Sequence, residues 1–216
     1  MNLPHNINQL RQRWQSGDRF EFFLFYGHKP PLTGVDASCL SQWFVRDFSI
    51  DGQRYPTAEH WMMAEKARLF DDDEMLNAIL ESESPRDAKA FGRKVKGFDA
   101  ETWNDHKFEI VVRGNLAKFD QNPMMKQFLI ETAQGQTDQQ MVAEAPQAYR
   151  VSNDKKTKQE VGAPAILVEA AGRDTIWGIG LGQNNPKSRD PMLWRGKNLL
   201  GFALTNVREL LKQDQD

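Results

Sequence analysis

The sequence predicts an α+β fold: one mostly helical domain carrying a small β-sheet. Three observations predict it. Helix starts with their own capping residues fill the middle of the chain, at Thr57, Ser84 and Asp99. Short aromatic and β-branched runs sit towards both ends, at 20–26, 40–50 and 165–170. The two kinds of segment do not alternate as strand and helix, so a doubly wound parallel sheet is not expected. With 216 residues, 39% of them hydrophobic, the chain can build one sizeable core, and no internal repeat divides it.

The elements follow in order. Residues 1–18 are polar, with one short helix near Ile7–Gln15. Phe20–Tyr26 reads as a strand, and Gly27-His28-Lys29-Pro30-Pro31 must turn. Leu40–Ile50 reads as a second strand, ended by a tight Asp51-Gly52 turn. A helix capped by Thr57 runs to about Phe70, and one of Asp71, Asp72 and Asp73 caps the next. Ser84-Pro85 opens another, with proline in the first turn where no amide is missed. Asp99 caps a long helix, Ala100–Phe119, whose buried stripe is expected to be Trp103, Ile110, Val111, Gly114 and Ala117. Asn122-Pro123 starts a helix ending near Thr132. Residues 133–163 are rich in Gln, Asp and Lys and read as a solvated excursion between packed elements. Ala165–Ala170 and Thr175–Ile179 read as strands. Asn198–Lys212 is an amphipathic closing helix with Leu199, Leu200, Ala203, Val207, Leu210 and Leu211 on its apolar side.

Composition narrows the function classes. A net charge of −2 offers no general polyanion surface, so nucleic acid is not the default partner. The single cysteine, Cys39, cannot form an internal disulfide, which fits a reducing compartment. Met1–Arg13 lacks an apolar signal segment, and no run approaches the ~18 apolar residues of a membrane span. A cytoplasmic location without membrane partners is expected. The histidines at 5, 28, 60 and 106 lack ligand spacing, so a metal is not expected. No cofactor is expected either.

Candidate chemistry starts on the Thr57 helix. Glu59, Met63 and Lys66 share one face over two turns. Glu59 could serve as acid, base or charge stabiliser, and a desolvated Lys66 as a nucleophile. From spacing alone, an ordinary charged helix face explains them better. Gly178-Ile179-Gly180-Leu181-Gly182 is a GxGxG run, but the loop Gln183-Asn184-Asn185-Pro186 follows where a dinucleotide site needs a helix N-terminus. These glycines read as a turn or as a close approach to a ligand. Asp174 before them could be a cap or a catalytic carboxylate. Lys187, Arg189, Arg195 and Lys197 surround Trp194, either as a solvated loop or as a phosphate clamp with a stacking face. Tyr26, Trp43, Trp61, Trp103 and Trp177 are core candidates, one or two of which could line a base-stacking slot.

Several blocks acquire meaning as an ordered set. They are Phe25-Tyr26-Gly27, Leu40-Ser41-Gln42-Trp43-Phe44, Tyr55-Pro56-Thr57-Ala58-Glu59-His60 with Lys66-Ala67, Trp103, Lys118-Phe119 and Leu167-Val168-Glu169. Asp174-Thr175-Ile176-Trp177-Gly178-Ile179-Gly180 and Gly196-Lys197-Asn198-Leu199-Leu200-Gly201 complete them. In this order, over about 20–211, the chain resembles the NADAR family, which includes the YbiA-like N-glycosidases. Two features depart from it: Gln42 stands where the family has Asn, and 133–163 looks like an insertion.

The resemblance implies a single NADAR-like domain over 1–216 that cleaves an N-glycosidic bond at ribose C1. It implies two substrate classes: phosphorylated ribosylamino-pyrimidine intermediates of riboflavin biosynthesis, and ADP-ribose attached to guanine. Nucleic acid would then be a partner only as a modified substrate. A non-catalytic module binding ADP-ribose or NAD is the rival from another class. By the resemblance, Glu59, Trp103 and Asp174 are the residues needed for activity, and Lys66 is the lysine that would trap the opened sugar. Tyr26, Trp43, His60, Trp177, Gly178, Arg195, Lys197 and Asn198 are the expected substrate-binding residues, with Lys187 as a further phosphate contact.

Overall fold

Two parallel strands that are far apart in sequence hold the chain's beginning to its end. In the computed structural model, which describes residues 3–134 and 164–213, β1 (Phe22–Phe25) pairs in parallel with β4 (Ile166–Glu169), and Phe25 lies opposite Glu169. All four β1 residues are buried, as are the first three of β4, which is why both read as unbroken apolar runs. The other pair is the hairpin β2 (Phe48–Ile50) and β3 (Gln53–Tyr55). Its turn residues Asp51 and Gly52 have φ of 52° and 79°. Positive φ at both central positions is what a two-residue hairpin with right-handed strand twist requires.

Four of the helices form where their expected caps stand, at Thr57, Asp72, Ser84 and Asp99. α1 (Ile7–Gln15) is capped by Asn6, α2 (Ala58–Leu69) by Thr57, α3 (Asp73–Glu81) by Asp72 and α4 (Pro85–Gly92) by Ser84. α5 (Ala100–Asp120) is capped by Asp99, α6 (Pro123–Glu131) begins on proline, and α7 (Leu199–Gln213) closes the chain. α2 packs against α3, α4 and α5, while α7 bridges α5 and β4. The main core lies between these elements, and a smaller one lies under α1 on the opposite face of the strand pair.

One expected strand is cut short and another is absent. Of Leu40–Ile50, only Phe48–Ile50 pairs. Ala37–Leu40 is instead a 3-10 turn capped by Asp36, and Ser41 Oγ accepts the Trp43 amide at 3.1 Å. The fully buried Lys118 donates to the carbonyls of Cys39 and Ser41 at 2.8 and 2.9 Å. These backbone groups are spent on side chains, so they cannot join a ladder. Burial brings the Lys118 ammonium down to about 8 and pushes the Cys39 thiol up to about 12. Thr175–Ile179 also forms no strand, because Asp174 captures its amides.

The expected α5 stripe is confirmed at Val111 and Gly114, while Trp103, Ile110 and Ala117 are only partly buried. Pattern reading missed the buried polar residues Asn115 and Lys118. Asn115 Nδ2 donates to Gln42 Oε1 at 2.8 Å, and the Gln42 carbonyl accepts the Glu59 amide at 3.0 Å. Gln42 therefore braces the start of α2 against α5. The 133–163 excursion lies almost wholly outside the described residues.

Candidate functional site

Parallel pairing aims the C-terminal ends of β1 and β4 the same way, and the loops that follow diverge. An open cleft of about 1280 Å³ lies there, the position where ligands collect at parallel strand ends. Tyr26, His28 and Lys29 enter from the β1 loop, Lys89 from α4 and Arg93 from its C-cap, and Glu169, Arg173 and Asp174 from β4 and its loop. Ser38, Ser41 and Trp43 come from the irregular segment before β2.

Glu59 stands in the first turn of α2 and is 2% exposed. The helix N-terminus favours negative charge there. Its Oε1 lies 3.7 Å from Lys89 Nζ, an ion pair too long for a hydrogen bond. Burial pushes the Glu59 carboxyl up, while Lys89 and hydrogen bonding from the Trp43 side chain pull it down. The Lys89 ammonium also sits over the Trp43 ring, 5.7 Å from its centroid, and His28 packs on that ring at 5.5 Å. The aromatic plate, the cation and the carboxylate thus form one assembly.

Glu169 adds a second carboxylate that sequence reasoning did not select. It ends β4, and its Oε2 is buried without a hydrogen-bond partner. Burial, with Asp174 next, pushes its carboxyl up to about 8. Asp174 completes the group and repels both Glu59 and Glu169. Its Oδ1 accepts the amides of Ile176, Trp177 and Gly178 at 2.9, 2.8 and 3.5 Å, which makes the turn after β4. Gly178 allows that turn to close, since a Cβ there would meet the Glu169 carbonyl at 2.9 Å and the Asp174 carbonyl at 3.2 Å. The signals for Glu169 were its place in the Leu167-Val168-Glu169 block and a charge at the end of an apolar strand. Lys89 carried none beyond its place in a capped helix.

Tyr26, Trp43 and Asp174 line the cleft, Glu59 reaches it through Lys89 and Trp43 without lining it, and Gly178 shapes the turn beside it, while the other expected residues lie elsewhere. Lys66 Nζ donates to the Gly92 carbonyl at the end of α4, at 2.7 Å. It lies 4.1 Å from the Phe98 ring centroid and 5.9 Å from that of Trp103. Burial lowers its ammonium, but neither Lys66 nor Trp103 lines the cleft. His60 is 1% exposed, with Nδ1 2.7 Å from Thr57 Oγ1 and Nε2 3.1 Å from the Ser82 carbonyl, and burial lowers it. Trp177 packs against the main core.

Arg195, Lys197 and Lys187 are exposed and absent from the cleft lining. Trp194 is buried, edge-on to Phe22, and donates to the Ser188 carbonyl at 2.9 Å, so it offers no stacking face. Asn198 is buried at φ 54°, accepting the Glu169 amide and donating to the Leu167 carbonyl, each at 2.9 Å. It pins the strand that carries Glu169. Among the described residues, no group of His, Cys, Asp and Glu is arranged to hold a metal ion, and no helix is long and apolar enough to cross a membrane.

Among the described residues, a parallel strand pair, a hairpin and seven helices, with acidic residues at the open end of the pair, define an α+β domain with a carboxylate-lined cleft. The family model of the NADAR domain matches residues 24–149 and 160–212, and the chain belongs to the NADAR family. N-glycosidase R617 of Acanthamoeba polyphaga mimivirus is 34% identical over 194 residues, covering 88% of this chain and 95% of that protein. N-glycosidase YbiA of Escherichia coli strain K12 is 27% identical over 176 residues, 82% of this chain and 81% of its own. The NMR structure of E. coli YbiA matches with a TM-score of 0.62 at 24% identity, over 99% of this chain and 95% of that one, and so shares the fold.

Proposed function

We propose that the protein is an N-glycosidase that hydrolyses a ribose C1–N bond, with phosphorylated ribosylamino-pyrimidine intermediates of riboflavin biosynthesis as the leading substrates. The observation that carries this reading is that Glu169, Asp174 and Lys89 line one cleft, with the buried Glu59 paired to Lys89 just beneath that lining. Two relatives bearing the name N-glycosidase support the reaction class.

Breaking the C1–N bond puts positive charge on the sugar and negative charge on the leaving base. A buried carboxylate beside C1 stabilises the first without reorganising solvent. Glu59 takes that part and receives the proton of the attacking water. Asp174 orients the ribose at the turn it organises. Trp43 and Tyr26 supply faces for the base, and Lys29, Arg93 and Arg173 supply charge for the phosphate. Arg195 and Lys197, outside the cleft lining, are not needed for it.

A second reading, hydrolysis of ADP-ribose from guanine in nucleic acid, is favoured by the cleft's volume of about 1280 Å³. Small-ligand pockets typically span ~300–1,000 Å³. The test is separate incubation with ribosylamino-pyrimidine 5′-phosphates and with ADP-ribosylated guanine DNA, followed by quantifying ribose phosphate or ADP-ribose. The first product alone supports the leading reading, and the second alone its alternative. Binding of both without release of either supports a non-catalytic module. Glu59→Gln should keep the wild-type circular dichroism spectrum and lose about 10²–10⁴-fold in kcat. Full turnover in that variant would remove Glu59 from the chemistry.

A further inference from the structure

We propose that Glu169 is the proton donor to the leaving nitrogen, a role that rests on the N-glycosidase reading and assigns its acid. The argument begins with position. Glu169 is the last residue of β4 and lines the cleft. Its backbone is held from two sides: its amide donates to Asn198 Oδ1 at 2.9 Å, and its carbonyl accepts the Ile179 amide at 2.9 Å. A proton donor must reach its target without rearrangement, and an anchored strand end is suited to that. Its Oε2 is buried and has no hydrogen-bond partner, so one oxygen of a fixed carboxyl remains uncommitted within the site.

The surroundings divide the two glutamates. Lys89 on α4 forms its ion pair with Glu59 on α2, at 3.7 Å. Among the described residues, no cation stands at ion-pair distance from Glu169. It faces the carboxylates of Asp174 and Glu59, with Lys89 the one cation acting on it appreciably. His28, Lys29 and Asp36 on the loops after β1, Arg93 at the C-cap of α4 and Arg173 beside Asp174 line the wider cleft. Where carboxylates share a site, the one without the counter-ion keeps the proton. Burial and the neighbouring Asp174 push Glu169 up to about 8, so it is the carboxyl of the group that holds a proton.

The step balances. The C1–N bond breaks and its electron pair goes to the nitrogen. The nitrogen takes the Glu169 proton and departs as the neutral base. Water forms the new C1–O bond, and its proton passes to Glu59. Solvent then returns Glu169 to its acid form and Glu59 to its carboxylate.

The test measures kcat and KM of wild type, Glu169→Gln and Glu169→Asp from pH 5 to 10. Substrates are ribosylamino-pyrimidine 5′-phosphates, ADP-ribosylated guanine DNA, and a ribosyl phosphate whose base is electron-poor and leaves readily. The wild-type rate should fall as pH rises through about 8. Glu169→Gln should lose that limb and about 10²–10⁴-fold in kcat, with little change in KM. Its loss should shrink on the electron-poor base, and Glu169→Asp should recover part of the rate and the limb. Loss in KM alone, or equal loss on good and poor leaving groups, overturns the proposal. Wild-type turnover matched by Glu169→Gln at every pH overturns the role of Glu169 alone. Wild-type protein that releases no base from any of the three overturns the hydrolase reading itself.

Discussion

Glu59 and Lys66 share one helix face, yet their surroundings divide them. Seven residues at 1.5 Å of rise put them about 10 Å apart along α2. Glu59 meets Lys89 and Trp43, whereas Lys66 caps the last turn of α4 between aromatic rings. A lysine already donating to the Gly92 carbonyl is a structural tie. Lys66→Met should therefore keep turnover within a few-fold while lowering stability by about 1–3 kcal/mol, read by urea unfolding. Borohydride reduction during turnover should leave the wild-type mass unchanged, and a trapped adduct would restore Lys66 as a nucleophile. His60 was equally legible as a polar residue beside Glu59. One residue turns it by about 100°, towards Thr57 and Ser82 and away from the cleft lining.

Between elements, the fold depends on close approach at glycines. A Cβ on Gly114 of α5 would meet Trp61 Cδ1 at 2.1 Å and Nε1 at 2.5 Å. The Trp61 indole donates to the Ile110 carbonyl at 2.7 Å, so the ring cannot retreat without losing that bond. Gly114→Ala should destabilise by about 1–3 kcal/mol, seen as a lower urea midpoint. On Gly201 of α7 a Cβ would meet the Leu167 carbonyl at 2.1 Å, and here the obstacle is backbone. Gly201→Ala should cost at least as much and also disturb β4, lowering activity with stability. α5 holds the segment before β2 through Lys118 and Asn115, which explains why the second half of this helix buries an amine and an amide.

Over the whole molecule, burying carboxylates links stability to pH. Glu169 is raised in the folded state to about 8, against about 4.3 in an unfolded chain. Between those values the native protein holds a proton that the unfolded chain has lost. Stability from this group is thus fully present below about pH 4.3 and is lost as pH rises through about 8. Glu59 is also raised and acts in the same direction. Glu169→Gln, neutral at every pH, should gain in melting temperature over wild type as pH rises from 5 to 8. A constant difference across that range would contradict a protonated Glu169.

The fold class, the caps of α2–α5, the apolar runs of β1 and β4 and the Asp51-Gly52 turn were legible because each is a local rule. A capping oxygen meets an amide two or three residues away, and a positive φ needs only its own residue. The extent of the strands was less so. The side chains of Asp174 and Lys118 take backbone groups that the β-propensity of 40–47 and 175–179 would otherwise commit to ladders. By itself the sequence determined an α+β NADAR domain and put Glu59 and Asp174 forward. Only the tertiary structure decided that Glu169 and Lys89 join them, while Lys66, Trp103 and His60 face other partners. That decision rests on parallel pairing of β1 with β4 and on α4 packing over α2. Such contacts between distant residues leave no periodicity in the chain to read.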